Sequence, residues 1–281
     1  MGKHRAAQIE ISRVRAYDPP VGMNRREVLT GLGAAAVGGL GIISAETVYA
    51  AAHSTDPLQF YGGFASAIRP DRSPPSVPRS AVLWSGPTDK RAVALTFDDG
   101  PMPDWTPRVL GILARHDVPA TFFLKGLNVQ RYGALHLDSA GTHELGNHTW
   151  DHPDLARLDY HECADQLERT SAIIAQVYGT RPTLFRPPYG HLAGSSLLAA
   201  AEHRLTTVLW SAQMTESVFE AEPARIVESV RSAAHPGSII LGHDAGADNR
   251  LVSIDHLDAI ISRLKADGFA FTTVSQLCGL R

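Results

Sequence analysis

Ala92-Val93-Ala94-Leu95-Thr96-Phe97-Asp98-Asp99-Gly100-Pro101 carries an apolar run directly into two adjacent carboxylates and then a Gly-Pro turn. The run reads as a strand, because it is short, apolar and closed by turn residues. Adjacent acids repel, and burying both charges is costly unless a cation or a proton lies between them. Two acids at the mouth of a strand therefore suggest a metal ligand beside a proton-transfer base. Standing alone, the same Asp-Asp-Gly also suits a solvated turn, so the surrounding chain has to decide.

Around this stretch, short apolar runs alternate with segments of helical period. The pattern predicts strands over 91–97, 119–124, 142–146, 182–185, 205–210, 237–242 and 269–274. It predicts helices over 104–116, 159–178, 191–203, 222–234 and 251–267. In the last of these, Leu251, Ile254, Leu257, Ile261 and Leu264 fall on one face. Regular alternation of strand and helix implies a parallel sheet, closed or open. The ionisable segments Asp98-Asp99, Arg186 to Tyr189 and His243-Asp244 each follow an apolar run. Barrels of the (β/α) type build their sites at the C-terminal ends of strands, whereas an open doubly wound sheet uses only its switch-point crevice. The expectation is a distorted (β/α) barrel of about seven strands, one catalytic domain over 85–281.

The chain of 281 residues has a formal charge of -3. Its first fifty residues carry six basic groups against four acids, and subtracting their +2 leaves the remainder at -5. Nothing there offers the basic face a nucleic-acid partner needs. Asn24-Arg25-Arg26-Glu27-Val28-Leu29-Thr30 precedes a Gly/Ala-rich apolar run, Gly31 to Val48, closed by Ala50-Ala51-Ala52. That order of charged, apolar and small residues is a secretory signal. The paired arginines resemble a twin-arginine export signal, with Val28 where Phe is more usual. A spanning helix needs about 20 strongly apolar residues, and this run is too short and too rich in Gly. Residues 1–52 are thus expected to be a bacterial signal peptide, with 1–22 an extended n-region or an overlong start. Residues 53–84 read as a Pro-rich linker, and the mature protein as extracytoplasmic, secreted or held at the cell wall. Cys163 and Cys278 are either buried small hydrophobes or, after export, a single disulfide.

His148-Thr149-Trp150-Asp151-His152 sets two histidines four apart, within reach of one ion from a single turn or a tight loop. Alone such a pair is often incidental. Joined to one acid of the strand-end pair, it makes an Asp/His/His set with open positions, the pattern of catalytic rather than structural zinc. Arg186 at another strand end can hold a carboxylate by a bidentate contact. Pro187-Pro188 stiffens the loop that follows, which would hold the Tyr189 N–H as an oxyanion donor. His243 ends the sixth apolar run, where it suits a general acid or, equally, a satisfied core histidine.

Taken in this order, Thr96-Phe97-Asp98-Asp99-Gly100-Pro101, His148-Thr149-Trp150-Asp151-His152, Arg186-Pro187-Pro188-Tyr189 and Leu241-Gly242-His243 resemble four of the five motifs of the polysaccharide deacetylases, carbohydrate esterase family 4 (the NodB homology domain). The resemblance covers about residues 90–277. It implies Asp98 as general base, with Asp99, His148 and His152 binding a divalent metal, zinc first, with cobalt or nickel also suited to such donors. It implies Arg186 as the tether of Asp98, the Tyr189 amide at the oxyanion, His243 as general acid and Leu241 against the acetyl methyl. Trp105, Trp150 and Trp210 are candidates for contact with sugar rings, and Trp105 and Trp150 equally suit packing. One motif departs from the family. After Trp210-Ser211 the family shows Asp, two variable residues, Asp and Trp; here Gln213-Met214-Thr215-Glu216-Ser217 stands instead. Gln213 supplies no fixed negative charge for Arg186 or His243, Glu216 is the candidate for the second acid, and Ser217 offers no aromatic wall.

The implied activity is hydrolysis of N-acetyl groups on GlcNAc-containing polymers, peptidoglycan or chitin-type oligosaccharide, by a monomer. An acetylxylan-type O-deacetylase and an inactive carbohydrate-binding relative are the alternatives. A glycosidase needs carboxyls roughly 5–9.5 Å apart across its substrate, which adjacent Asp98 and Asp99 do not provide. No Gly-x-Ser-x-Gly elbow supports a serine esterase. Seven further histidines, His116, His136, His143, His161, His191, His203 and His235, are expected on helix surfaces and loops.

Overall fold

The structure is a computed structural model that describes residues 81–135 and 141–280. The expected signal peptide, linker residues 53–80 and His136 lie outside them. The strands are β1 Val82–Leu83, β2 Ala92–Asp98, β3 Thr121–Leu124, β4 Glu144–Asn147, β5 Leu184–Phe185, β6 Thr206–Val208, β7 Ala212–Gln213, β8 Ile239–His243 and β9 Ala270–Phe271. Their order is β1-β6-β5-β4-β3-β2-β8-β7, with β9 added beside β2. Every strand pairing is parallel, and the sheet curls into a half-barrel flanked by helices. The seven expected strands are all present. The edge strand β1 lies upstream of residue 85, where the catalytic domain was expected to begin.

Alternation along each strand divides the core in two, since successive side chains point to opposite faces. On β2, Val93, Leu95 and Phe97 pack outward with Ile254, Leu257 and Ile261. Ala94 faces the inside of the curl with Phe123, Leu184, Val208 and Ile239. Thr96 and Asp98 continue that inner line toward the C-terminal rim. The polar end of β2 is therefore buried because the strand that carries it is buried.

The outer helices are α1 Thr106–His116, α2 Gly126–Tyr132, α3 Tyr160–Tyr178, α4 Gly194–Glu202, α5 Arg225–Ala233, α6 Leu251–Ala266 and α7 Val274–Cys278. α3 opens on an Asp159/Glu162 capping box and stops at Gly179, whose φ of 75° suits the left-handed cap. In α6, Ile254, Leu257, Ile261 and Leu264 are buried as the period predicts. The strand expected over 269–274 is shorter, because Thr273 accepts from the Gln276 N–H and caps α7.

His143 corrects an expectation. It is buried rather than on a surface, its Nδ1 accepts from the Ala120 N–H at 3.2 Å, and its ring meets Phe122 edge-on. Burial lowers its pKa to about 4, which keeps the imidazole neutral for that bond. Cys163 and Cys278 are both free thiols, pushed up to about 11 chiefly by burial. No helix among the described residues is long and apolar enough to cross a membrane.

Candidate active site

Register brings the motifs to one rim. Asp98 is the Cα partner of His243, Leu124 of Asn147, and Asn147 of Phe185. The residues that follow these positions, Asp99, His148 and Arg186, therefore leave neighbouring strands at the same end.

Asp98 and Arg186 form the buried centre. Arg186 is 0% exposed and donates from Nη1 to Asp98 Oδ1 and to Thr96 Oγ1, both at 2.8 Å. Its Nε and Nη2 donate to the Val208 and Leu209 carbonyls at 3.3 and 3.0 Å. The expected bidentate grip on the acid is thus a single contact, because the other nitrogens satisfy the end of β6. The guanidinium also lies over the Phe123 ring, 4.1 Å from its centroid. Burial pulls the Arg186 pKa down, and the Asp98 charge opposes that pull.

Asp99, His148 and His152 bring ligand atoms within 4.8 Å of one another. Nε2 of His152 and of His148 stand 3.3 and 3.6 Å from Asp99 Oδ1. His148 Nδ1 lies 2.8 Å from the Arg186 carbonyl, which accepts its proton and leaves the Nε2 lone pair facing Asp99. Burial, aided by His148, lowers His152 to about 4, so its imidazole is neutral and ready to donate electrons. Burial of Asp99 works against its charge; the three imidazoles of His148, His152 and His243 and the Arg250 guanidinium outweigh it and bring the carboxyl to about 2. A carboxylate and two imidazole nitrogens brought together in this way are donors of the kind a divalent ion takes.

The altered motif acquires a partner in three dimensions. Glu216 is 6% exposed, and its Oε1 sits 3.2 Å from His243 Nδ1. Gln213 is exposed and accepts instead from Trp210 Nε1 at 3.1 Å. The negative charge beside His243 therefore comes from Glu216, and Arg186 is satisfied without residue 213.

Several supports left little trace in the sequence. Buried Asn147 donates to the Leu167 carbonyl and Ser171 Oγ and accepts from the Thr149 N–H, pinning the histidine loop. Asn128 Nδ2 donates to the Asp99 carbonyl at 2.8 Å, and Arg250 Nη1 to Asp99 Oδ2 at 2.6 Å. Asp99, Thr149, His152 and Tyr189 all have φ between 60° and 77°. Each such residue costs about 1 kcal/mol or more, and bonds like these hold the conformation in place.

Asp244 ties the loop after β2 to the loop after β8. It accepts from the Gly100 N–H at 3.1 Å and from Thr106 Oγ1 at 2.5 Å. Burial above all, with the Asp99 charge adding, pushes its carboxyl up to about 7 from an ordinary 3.8. Its folded pKa exceeds the unfolded one, so its contribution to stability is full below 3.8 and is lost as pH rises through about 7. Asp244→Asn should therefore gain on the wild type, by on the order of 2 kcal/mol, between about pH 5 and about pH 8.5. Urea unfolding of the chelator-treated proteins measures this; a gap that does not change with pH would refute it.

The rest of the expected set is placed as follows. Tyr189 is 61% exposed, with its ring 4.7 Å from that of His152. Leu241 is buried on β8 with the parity of Ile239 and His243, facing inside the curl. Trp210 flanks Arg186 and Gly190. Trp150 stands apart from these, packed on Gly126 with the Arg169 guanidinium over its ring. Trp105 is in the outer core.

Such a half-barrel, with its ionisable groups gathered on the C-terminal rim, matches the fold of the carbohydrate esterase family 4 deacetylases, which are hydrolases. The chain belongs to the polysaccharide deacetylase family, whose model matches residues 85–208. A peptidoglycan-N-acetylglucosamine deacetylase of Bacillus cereus is 37% identical over 202 residues, which are 72% of this chain and 73% of that protein. The deacetylase of the same description from Listeria monocytogenes is 35% identical, but the match spans only 41% of its length. Among solved structures, the Bc1960 peptidoglycan N-acetylglucosamine deacetylase in complex with an N-oxidanyl-benzamide has a TM-score of 0.67 at 36% identity, covering 72% of this chain and 94% of that one. BA3943, a CE4 family pseudoenzyme from Bacillus anthracis, has a TM-score of 0.64 at 28% identity, covering 71% and 69%.

Proposed function

We propose that this chain is an exported, metal-dependent deacetylase that removes N-acetyl groups from GlcNAc-containing polymers, with peptidoglycan as its substrate class. One observation carries the reading: the Asp98–Arg186 pair and the Asp99, His148 and His152 donors meet on a single rim. The peptidoglycan deacetylases among the relatives support peptidoglycan as the substrate class. The ligand of the Bc1960 enzyme, an N-oxidanyl-benzamide and hence a hydroxamic acid, supports a chelating site. Asp99, His148 and His152 would hold the ion, with zinc first and cobalt or nickel compatible with the same donors. Such an ion, when bound, lends Lewis acidity and acidifies bound water.

In this reading Asp98 takes the proton of the attacking water while Arg186 fixes its carboxylate. The Tyr189 N–H meets the developing oxyanion, on a loop made rigid by Pro187-Pro188. His243 then protonates the departing amine. Glu216 accepts from its Nδ1, which leaves Nε2 as the nitrogen that works. Glu216→Gln is expected to lower kcat about tenfold with little change in KM, and Glu216→Asp to restore part of the loss. A Glu216→Gln enzyme as fast as the wild type would remove Glu216 from this scheme. The twin-arginine-type segment at residues 24–30 supports export, as does a substrate class found in the cell wall.

The test is acetate release by the chain without residues 1–52, measured on peptidoglycan, chitin oligomers and acetylxylan with Zn²⁺ and with chelator. Chelator-sensitive release from the amino-sugar polymers is expected. Release that survives complete metal removal would overturn the mechanism, and release from acetylxylan alone would overturn the substrate class. The completed Glu216–His243 contact argues against an inactive relative.

A further inference from the structure

Beside the Asp99–His148–His152 set opens a groove of about 630 Å³. One wall is α2, with Lys125 at its N-cap and Arg131 and Tyr132 in its last turn. The opposite wall ends in Arg250, and Asp151 and Tyr189 complete the lining. The charges do not balance. Arg250 is committed to Asp99 at 2.6 Å, so that pair cancels. Among the described residues Lys125 and Arg131 have no carboxylate within 4 Å, and Asp151 is the remaining acid, with Gln166 donating to it at 2.8 Å. Two cations therefore stand against one acid, in a chain whose residues beyond the first fifty carry -5. Tyr132 and Tyr189 are 37% and 61% exposed beside them. Exposed tyrosine rings offer an apolar face and a polar tip, which suits a sugar ring. Unpaired cations between them suit an anionic group on that sugar.

We propose that this groove is a subsite for a carboxylate-bearing sugar next to the residue that loses its acetyl group, with Lys125 and Arg131 as the specificity-determining side chains. The inference rests on the deacetylase reading and narrows it. A neutral GlcNAc oligomer presents no carboxylate. A peptidoglycan strand presents one from either of two sources, the lactyl ether of its muramic residues when unsubstituted, or the stem peptide attached there. Both are the same chemistry to an ammonium and a guanidinium at a groove wall.

The experiment compares the metal-loaded wild type with Lys125→Gln/Arg131→Gln on three substrates: a neutral GlcNAc oligomer, glycan strands stripped of stem peptides, and strands that keep them. The ratio of kcat/KM on acidic to neutral substrate is expected to fall about fivefold in the double variant, chiefly through KM. High salt should bring the wild-type ratio down toward the same value. A fall on stripped strands assigns the lactyl carboxylate, a fall on stem-bearing strands the peptide, and either supports the subsite. An unchanged ratio on both overturns it. Calorimetric binding of the same glycans to Asp98→Asn, with and without the double substitution, reads the ratio without turnover. If no substrate releases acetate, the deacetylase reading fails while the binding ratio still judges the subsite.

Discussion

Asp98→Asn should fold, bind substrate with a KM close to that of the wild type, and lose about 10³-fold in kcat. The amide keeps an oxygen where Oδ1 now accepts from Arg186 Nη1 at 2.8 Å, so the guanidinium retains a partner. What it cannot do is take a proton from water. The charge lost from the pair is felt as stability, because Arg186 is fully buried and its remaining partners are neutral. Thermal unfolding should show a modest loss for Asp98→Asn. Asp98→Ala should lose more, about 3 kcal/mol, since it leaves a buried cation facing a void. Kinetics and unfolding thus separate the two tasks of one carboxylate. An Asp98→Asn enzyme within tenfold of the wild type would mean that another group is the base.

His148→Ala should abolish acetate release and weaken metal binding by at least about 100-fold, measured by calorimetric titration of the chelator-treated protein. The substitution removes one of three donors and also the Nδ1 hydrogen bond to the Arg186 carbonyl at 2.8 Å. Two losses therefore share one residue. His148→Gln restores some polarity without an imidazole and should recover folding but not the ion. If His148→Ala titrated with wild-type stoichiometry and affinity, Asp99 and His152 would have to hold the ion without it, and the proposed donor set would be wrong.

The long strands and helices were readable because their signals are local. β2, β3 and β8 are apolar runs bounded by turns, and α6 repeats its buried residues at helical spacing. β1 and β7, at two residues each, are too short to show any period, and they exist through pairing with β6 and β8. Helix α2 has seven residues and no marked apolar face. The burial of His143 was not legible in its polar neighbours Thr142 and Glu144; it comes from Phe122 and Ala120, more than twenty positions away.

The rim is similarly divided. Covalent spacing alone put Asp98 beside Asp99 and His148 four residues before His152, and the runs before them made them strand-end groups. Those facts lie in the chain, since a strand-end motif needs only its own neighbours. The labour within the acid pair came from folding. Asp98 meets Arg186, 88 residues on, and Asp99 meets Arg250, 151 residues on. Glu216 reaches His243 from a segment whose letters had lost the family pattern. Register and curl choose such partners, and they depend on every strand between them. A carboxylate is identical in every acid of the sequence; its neighbours in space make one a candidate base and the next a candidate ligand.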